Sequence, residues 1–301
     1  MLLPEIADAL AAIPFPTISA ETLSTMRSFS MPGPALSDAV DRTDVVVSDE
    51  PRVVVRVHRP KDVEGALPCV YSIHGGGYVI GSYAMDDARF DRWCQTFQCV
   101  GVSVEYRLAP ETPYPGPLED CYAGLRWTYD NAASLGIDPT RIGVSGISAG
   151  GGLAAALALL ARDRGEVQLQ FQLLECPMVD DRQTTVSSQL DSLAIWSRES
   201  NTFGWQSYLG ALYGSDDVPG HAAPARASDL SGLPPAIVAV GTVDGFRDED
   251  IAYAMQLNQA GVPTELHVYP GACHGYQLAI DSAVARQARA DVERWLRRQI
   301  T

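Results

Sequence analysis

The stretch Arg141-Ile142-Gly143-Val144-Ser145-Gly146-Ile147-Ser148-Ala149-Gly150-Gly151-Gly152 decides the fold. Its first half mixes small and β-branched residues, which suits a buried strand, and the run Leu153 to Ala161 beyond it consists of strong helix formers. A strand therefore gives way to a helix, with one serine between them. Gly146, Ser148 and Gly150 form Gly-x-Ser-x-Gly, a turn so sharp that flanking side chains larger than hydrogen collide where strand and helix cross. The pattern predicts a serine lifted to the top of a sheet on strained backbone. Its oxygen would sit at the first turn of a helix, where unpaired N–H groups and the dipole favour developing negative charge. Glycine patterns of this size also occur in turns that merely pack, and in phosphate loops. No Lys follows the glycines as a Walker loop requires, and Gly-x-Gly-x-x-Gly is absent from the stretch.

The 301 residues, 46% hydrophobic and 20% charged, can bury one large core. A single α/β domain with an insertion is expected. A formal charge of -15 argues against nucleic acid and against anionic membrane surfaces. No Lys or Arg precedes Arg27, and Pro14 interrupts the apolar run Ala9 to Phe15, so neither a signal peptide nor membrane insertion is expected. These features point to a cytoplasmic protein. The six cysteines are scattered without a Cys-x-x-Cys pair, which fits reduced core thiols and no metal site. Cys273, beside a histidine, is a rival nucleophile on its position alone.

Residues 1–44 read as short helices broken by Pro4, Pro14, Pro16, Pro32 and Pro34, too apolar for a free tail. Val45 to Val47 and Val53 to His58 flank Asp49-Glu50-Pro51, an opening hairpin. Strands follow at Cys69 to Ile73, Cys99 to Tyr106, the serine stretch, Val167 to Pro177, Ala236 to Val240 and Thr264 to Tyr269. Helices are expected at about 86–97, 117–133, 248–260 and 281–300, the last with Val284, Ala288, Val292, Trp295 and Leu296 along one face. Strands alternating with helices after a hairpin imply a mostly parallel sheet of eight strands, covered on both faces. Val179 to Gly220 follows neither period and reads as an insertion.

A serine hydroxyl needs a base, an acid to orient that base, and donors for the oxyanion. On such a sheet these follow in the order Ser, acid, His. Of the late histidines, His267 stands mid-strand, whereas His274 lies past Pro270 beside Gly275, which favours His274 as the base. Asp244 stands just past a strand's carboxyl end, where sites on open sheets gather. Asp180 and Asp181 are rival acids, otherwise turn or cap residues. Asp248, Glu249 and Asp250 read as a helix's charged first turn. His74-Gly75-Gly76-Gly77 directly follows a strand and predicts amides of Gly76 and Gly77 that join Ala149 in an oxyanion hole, with His74 and Gly75 in support.

These motifs together resemble the bacterial hormone-sensitive-lipase-like (family IV) carboxylesterases of the α/β-hydrolase fold. The shared segments are His74 to Gly77, Tyr106-Arg107-Leu108-Ala109-Pro110-Glu111, Gly146 to Gly151, Asp244-Gly245-Phe246-Arg247-Asp248-Glu249 and His274-Gly275-Tyr276. The resemblance implies Ser148, Asp244 and His274 as a triad, no cofactor, and short- to medium-chain ester substrates. It also implies a cap built from residues 1–44 and about 181–220 on a catalytic core of 45–301. A lactone, carbamate or amide hydrolase uses the same apparatus, and a ligand receptor on this scaffold would lack a triad member. A homodimer is compatible with the sequence. Ile147 departs from the family, whose members commonly carry Asp there. Glu175, inside an apolar strand, has no account in the sequence. Trp196, Phe203, Trp205, Tyr208 and Leu209 are candidates for lining substrate pockets.

Overall fold

The computed structural model describes residues 1–11, 13, 15–29, 33–190 and 193–300. Pro14 and Pro32, expected to break the N-terminal helices, lie outside the described residues. Eight strands form one sheet in the order β1-β2-β4-β3-β5-β6-β7-β8. They are β1 (Val40–Asp49), β2 (Arg52–Pro60), β3 (Leu67–Ile73), β4 (Val100–Glu105), β5 (Ile137–Ile147), β6 (Gln172–Glu175), β7 (Ala236–Val243) and β8 (Thr264–Cys273). β2 is antiparallel to both β1 and β4, and every later neighbour is parallel. The helices are α1 (Pro4–Ala11), α2 (Leu23–Ser28), α3 (Asp87–Phe97), α4 (Gly116–Asp130), α5 (Ala132–Leu135), α6 (Ala149–Arg164), α7 (Arg198–Leu209), α8 (Arg247–Gln259) and α9 (Ala283–Ile300).

Alternation along the strands divides the core into two layers. Leu173 and Ile237 join Phe90 and Trp93 of α3 and Trp295 and Leu296 of α9 on one face. Their neighbours Leu174 and Val238 join α4, α6 and α8 on the other. α6 lies deepest, with every residue from Ala149 to Ala161 buried, which explains a sequence apolar on all sides rather than striped.

Several boundaries differ from the sequence expectation, those of β1 and β6 most. β1 begins at Val40, because residues 40–44 pair with β2 in register from Val40 opposite Pro60 to Asp44 opposite Arg56. The sheet therefore claims the last residues assigned to the cap at 1–44. The strand expected over Val167 to Pro177 shrinks to β6. Val167 and Phe171 are buried by packing, yet ladder pairing on both sides holds only over Gln172–Glu175.

The elbow holds together by close approach. A Cβ built on Gly150 would lie 2.0 Å from the Ile73 carbonyl oxygen and 2.5 Å from that of His74, and one on Gly146 would lie 2.1 Å from the Gly150 oxygen. These obstacles are backbone, which cannot swing aside as a flexible side chain can. Gly150→Ala should therefore cost about 1–3 kcal/mol through overpacking, read as a lower urea midpoint. Gly33→Ala, whose added carbon meets nothing within 4 Å, serves as the control. An unchanged midpoint in Gly150→Ala would show that the close approach is no constraint.

Candidate active site

Ser148 ends β5 and immediately precedes α6, with φ 59° and ψ -124°. A non-glycine residue held there stores roughly 1–3 kcal/mol of strain. Three backbone bonds fix it: its amide donates to the Glu175 carbonyl at 2.9 Å, and its own carbonyl accepts from Gly152 at 3.0 Å and from Met178 at 2.9 Å. The elbow is thereby pinned to the end of β6 as well as to its own helix.

His274 follows β8 directly, and Gly275 after it takes φ 69°. The imidazole Nε2 lies 2.9 Å from Ser148 Oγ, and Nδ1 lies 2.9 Å from Asp244 Oδ2. Asp244 stands past β7, and its Oδ1 accepts the Phe246 amide at 2.9 Å. All three residues are buried, with 6% of Ser148 and of His274 and 1% of Asp244 exposed. Burial by itself would depress the His274 pKa. The neighbouring Asp244 carboxylate, by its charge and its hydrogen bond, acts the other way, and the net result lies well above the ordinary histidine value. Phe246 meets the imidazole edge-on at 4.9 Å between ring centroids.

The glycine loop lies against the elbow. A Cβ on Gly75 would stand 2.8 Å from the Ile147 carbonyl oxygen and 3.4 Å from the Ser148 Cβ. Gly76 and Gly77 take φ 116° and 59°, a backbone that suits glycine. Among the described residues, the amides of Gly76, Gly77 and Ala149 donate to no protein acceptor. His74 anchors the loop, its Nδ1 donating to the Gly75 carbonyl at 2.8 Å and its ring stacked on Tyr106 at 4.2 Å. Burial lowers the His74 pKa to about 4, so the ring stays neutral above that pH.

The rival side chains are engaged elsewhere. Asp180 pairs with Arg182 at 2.6 Å and Asp181 with Arg226 at 2.6 Å. His267 bonds Glu265 at 2.7 Å within β8. The Cys273 thiol is buried, and burial followed by the nearby Asp244 charge pushes its pKa up to about 12. Glu175 faces Ile147 across the ladder and ion-pairs with Arg89 of α3 at 2.8 Å, which accounts for a carboxylate in an apolar strand. The first turn of α8 differs from the sequence reading: only Asp248 behaves as a solvated capping charge. Glu249 and Asp250 are 2% and 0% exposed, and neither Asp250 oxygen has a hydrogen-bond partner among the described residues.

The insertion is rooted on the same loops. Ser187 Oγ donates to the Gly245 carbonyl at 3.0 Å, and the Ser187 amide donates to Asp248 at 2.8 Å. A Cβ on Gly77 would fall 2.0 Å from the Trp196 ring, which is also 6.5 Å from the His274 ring. Of the five aromatic and apolar candidates, Trp196, Trp205, Tyr208 and Leu209 are all buried in the core, and Trp205 and Tyr208 pack on Tyr78. Trp196 alone has contacts with both the glycine loop and the base.

A family model for the alpha/beta hydrolase fold matches residues 70–278. Carboxylesterase NlhH of Mycobacterium tuberculosis is 42% identical over 229 residues, covering 74% of this chain and 71% of that protein. Esterase LipI of the same organism is 38% identical over 216 residues, covering 71% and 67%. The solved structure of a bacterial heroin esterase is similar at a TM-score of 0.92 and 38% identity, covering 100% of this chain and 98% of that one. Among the described residues, no helix is long and apolar enough to cross a membrane. The chain belongs to the α/β-hydrolase family, in its hormone-sensitive-lipase-like branch of carboxylic ester hydrolases.

Proposed function

We propose that the enzyme hydrolyses short- to medium-chain acyl esters through a Ser148–His274–Asp244 triad and an acyl-enzyme intermediate. The observation that carries this reading is the hydrogen-bonded line from Ser148 Oγ through both imidazole nitrogens to Asp244, 2.9 Å at each step. His274 takes the hydroxyl proton as Ser148 attacks the ester carbonyl, and Asp244 holds the ring in the tautomer whose Nε2 can accept it. The amides of Gly76, Gly77 and Ala149, left without protein acceptors, receive the oxyanion. The histidine then protonates the departing alcohol. Water activated by the same ring cleaves the acyl-enzyme and restores the serine.

Residues ahead of β1 and about 181–220 form the cap in this reading. Trp196 then bounds the acyl or alcohol pocket, since it stands between the glycine loop and the base. Ile195, which carries it, takes φ 67°, an outlier for a β-branched residue, and lies 3.2 Å from the place of a Gly275 Cβ. Strain held at such a position is consistent with a functional demand on where the indole goes.

Ser148→Ala should lower p-nitrophenyl butyrate hydrolysis by at least ~10⁴-fold and abolish labelling by a fluorophosphonate probe. A variant that keeps its rate within about tenfold would refute the triad. Because the Asp244 charge favours the imidazolium, the acid limb of kcat/KM should lie above about pH 6.5. Asp244→Asn removes that charge, so it should shift the limb to lower pH while lowering kcat by roughly 10⁴-fold. A limb at the wild-type pH in that variant would contradict the electrostatic assignment. Trp196→Ala should raise kcat/KM for octanoate relative to butyrate esters by about 10-fold or more. An unchanged ratio across an ester series run beside lactones and anilides would remove Trp196 from the pocket wall.

A further inference from the structure

Behind the elbow sits a thiol that ester hydrolysis does not use. Cys176 follows β6 with φ 39°, sparsely populated for a side-chain-bearing residue, and is fully buried. Its backbone is clamped from both sides. The preceding carbonyl, of Glu175, accepts the Ser148 amide at 2.9 Å, and the Cys176 amide donates to Ala239 of β7 at 2.6 Å. Its Sγ, a ring nitrogen of His274 and a carboxylate oxygen of Asp244 all lie within 4.8 Å of one another. Asp250, fully buried and with neither carboxylate oxygen hydrogen-bonded among the described residues, lies outside that group of donors.

We infer that Cys176, His274 and Asp244 form an inhibitory binding site for a thiophilic divalent cation of the zinc and cadmium class. One sulfur, one imidazole nitrogen and one carboxylate oxygen are the donor set such d¹⁰ ions select, and they bind it with three protein ligands and an open fourth position. The spacing allows a single ion to reach all three with small side-chain shifts, and the clamped backbone of Cys176 prepares the sulfur. Ser148 and His274 keep slight exposure, so the cluster is reached through the opening that serves the substrate. On binding, the thiol proton passes to solvent and the sulfur donates an electron pair to the metal. The imidazole donates its one lone pair, and its other nitrogen keeps the ring's single proton. No lone pair then remains to accept the Ser148 proton, and hydrolysis stops whichever nitrogen is bound. The binding itself is independent of the proposed catalytic roles, whereas the inhibition rests on His274 being the base.

Cadmium is the probe. Added Cd²⁺ should inhibit p-nitrophenyl butyrate hydrolysis, a chelator should restore it, and a cadmium–thiolate charge-transfer absorption should rise over the same concentrations. In Cys176→Ala the absorption should be lost. The half-inhibiting concentration, taken against that variant's own metal-free rate, should rise by at least ~10-fold, since losing even an outer-shell partner typically weakens metal sites 10- to 100-fold. Cys176→Ser, nearly equal in volume, repeats the measurement should the alanine variant fail to fold. Cys273→Ser should retain both signals. Ser148→Ala should still show the absorption, which separates the metal site from the triad: activity persisting in that variant would refute the triad and leave the site standing. Wild type without the absorption at inhibiting concentrations, or Cys176 variants inhibited as wild type is, would overturn the inference.

Discussion

The close approach of the first turn of α6 to the carboxyl end of β3 governs the architecture of the site. Gly150 brings its backbone to where a methyl group would stand 2.0 Å from the Ile73 carbonyl oxygen. Gly151 and Gly152 repeat the condition against Pro177 and the Met178 carbonyl. Only a helix whose first turn is glycine after the small Ala149 can approach the sheet this closely, and the serine ahead of it takes φ 59°. The same proximity sets the Gly75 backbone beside Ile147 and Ser148, which brings the start of the glycine loop up to the serine. The position of Ser148 and that of the glycine loop are thus consequences of one packing contact.

Electrostatics adds a second condition. Asp244, Glu249 and Asp250 are all buried within seven residues of chain, and three neighbouring anions in low dielectric would repel strongly. Asp244 has a protein donor on each oxygen, the Phe246 amide and the His274 imidazole. Among the described residues, Glu249 has a single weak hydroxyl contact, to Thr185 at 3.3 Å, and Asp250 has no hydrogen-bond partner. Burial, then the nearby carboxylates, holds the Glu249 and Asp250 carboxyls well above their usual range. Burial thus favours the neutral forms of these two carboxyls. The helix dipole invoked for this acidic turn is therefore a minor matter for two of its members, because a neutral carboxyl gains little from it.

Much of this was legible in the sequence, for physical reasons that differ by residue. The Gly-x-Ser-x-Gly turn and the glycine loop follow from steric demands that glycine meets, so the sharp turn at Ser148 and its approach to Gly75 could be read from pattern alone. His274 and Asp244 followed from their order and their places just beyond strands. Partnerships made across the fold could not be read. Glu175 looked misplaced because its ion-pair partner Arg89 lies far away in sequence, on a helix known only by its period. Cys176 was passed over, although its place at the carboxyl end of a parallel strand was a signal of the kind used for Asp244. The insertion mixed two kinds of aromatic residue that composition does not separate. Trp205 and Tyr208 fill the space over Tyr78, and Trp196 reaches the glycine loop.

The segments around the site are tied to the glycine loop and to the loops that carry Asp244 and His274. Arg27 of α2 donates to the carbonyls of Val79 and Ala109 and forms a two-pronged pair with Glu111, next to the glycine loop. The Ile18 amide donates to Ser200 of α7 at 2.9 Å, joining the two stretches. Ser187 is bonded to Gly245 beside Asp244, and Ile195 rests near Gly275 beside His274. A displacement of these segments would therefore pull on the Asp244 loop, the His274 loop and the glycine loop together. Interactions of this kind transmit discrete shifts rather than gradual ones, because packed interiors rearrange between distinct states. Ile195 concentrates that coupling in one residue: its unfavourable φ persists only while the contacts at Gly77 and Gly275 outweigh it, so the indole position and the base position are set jointly.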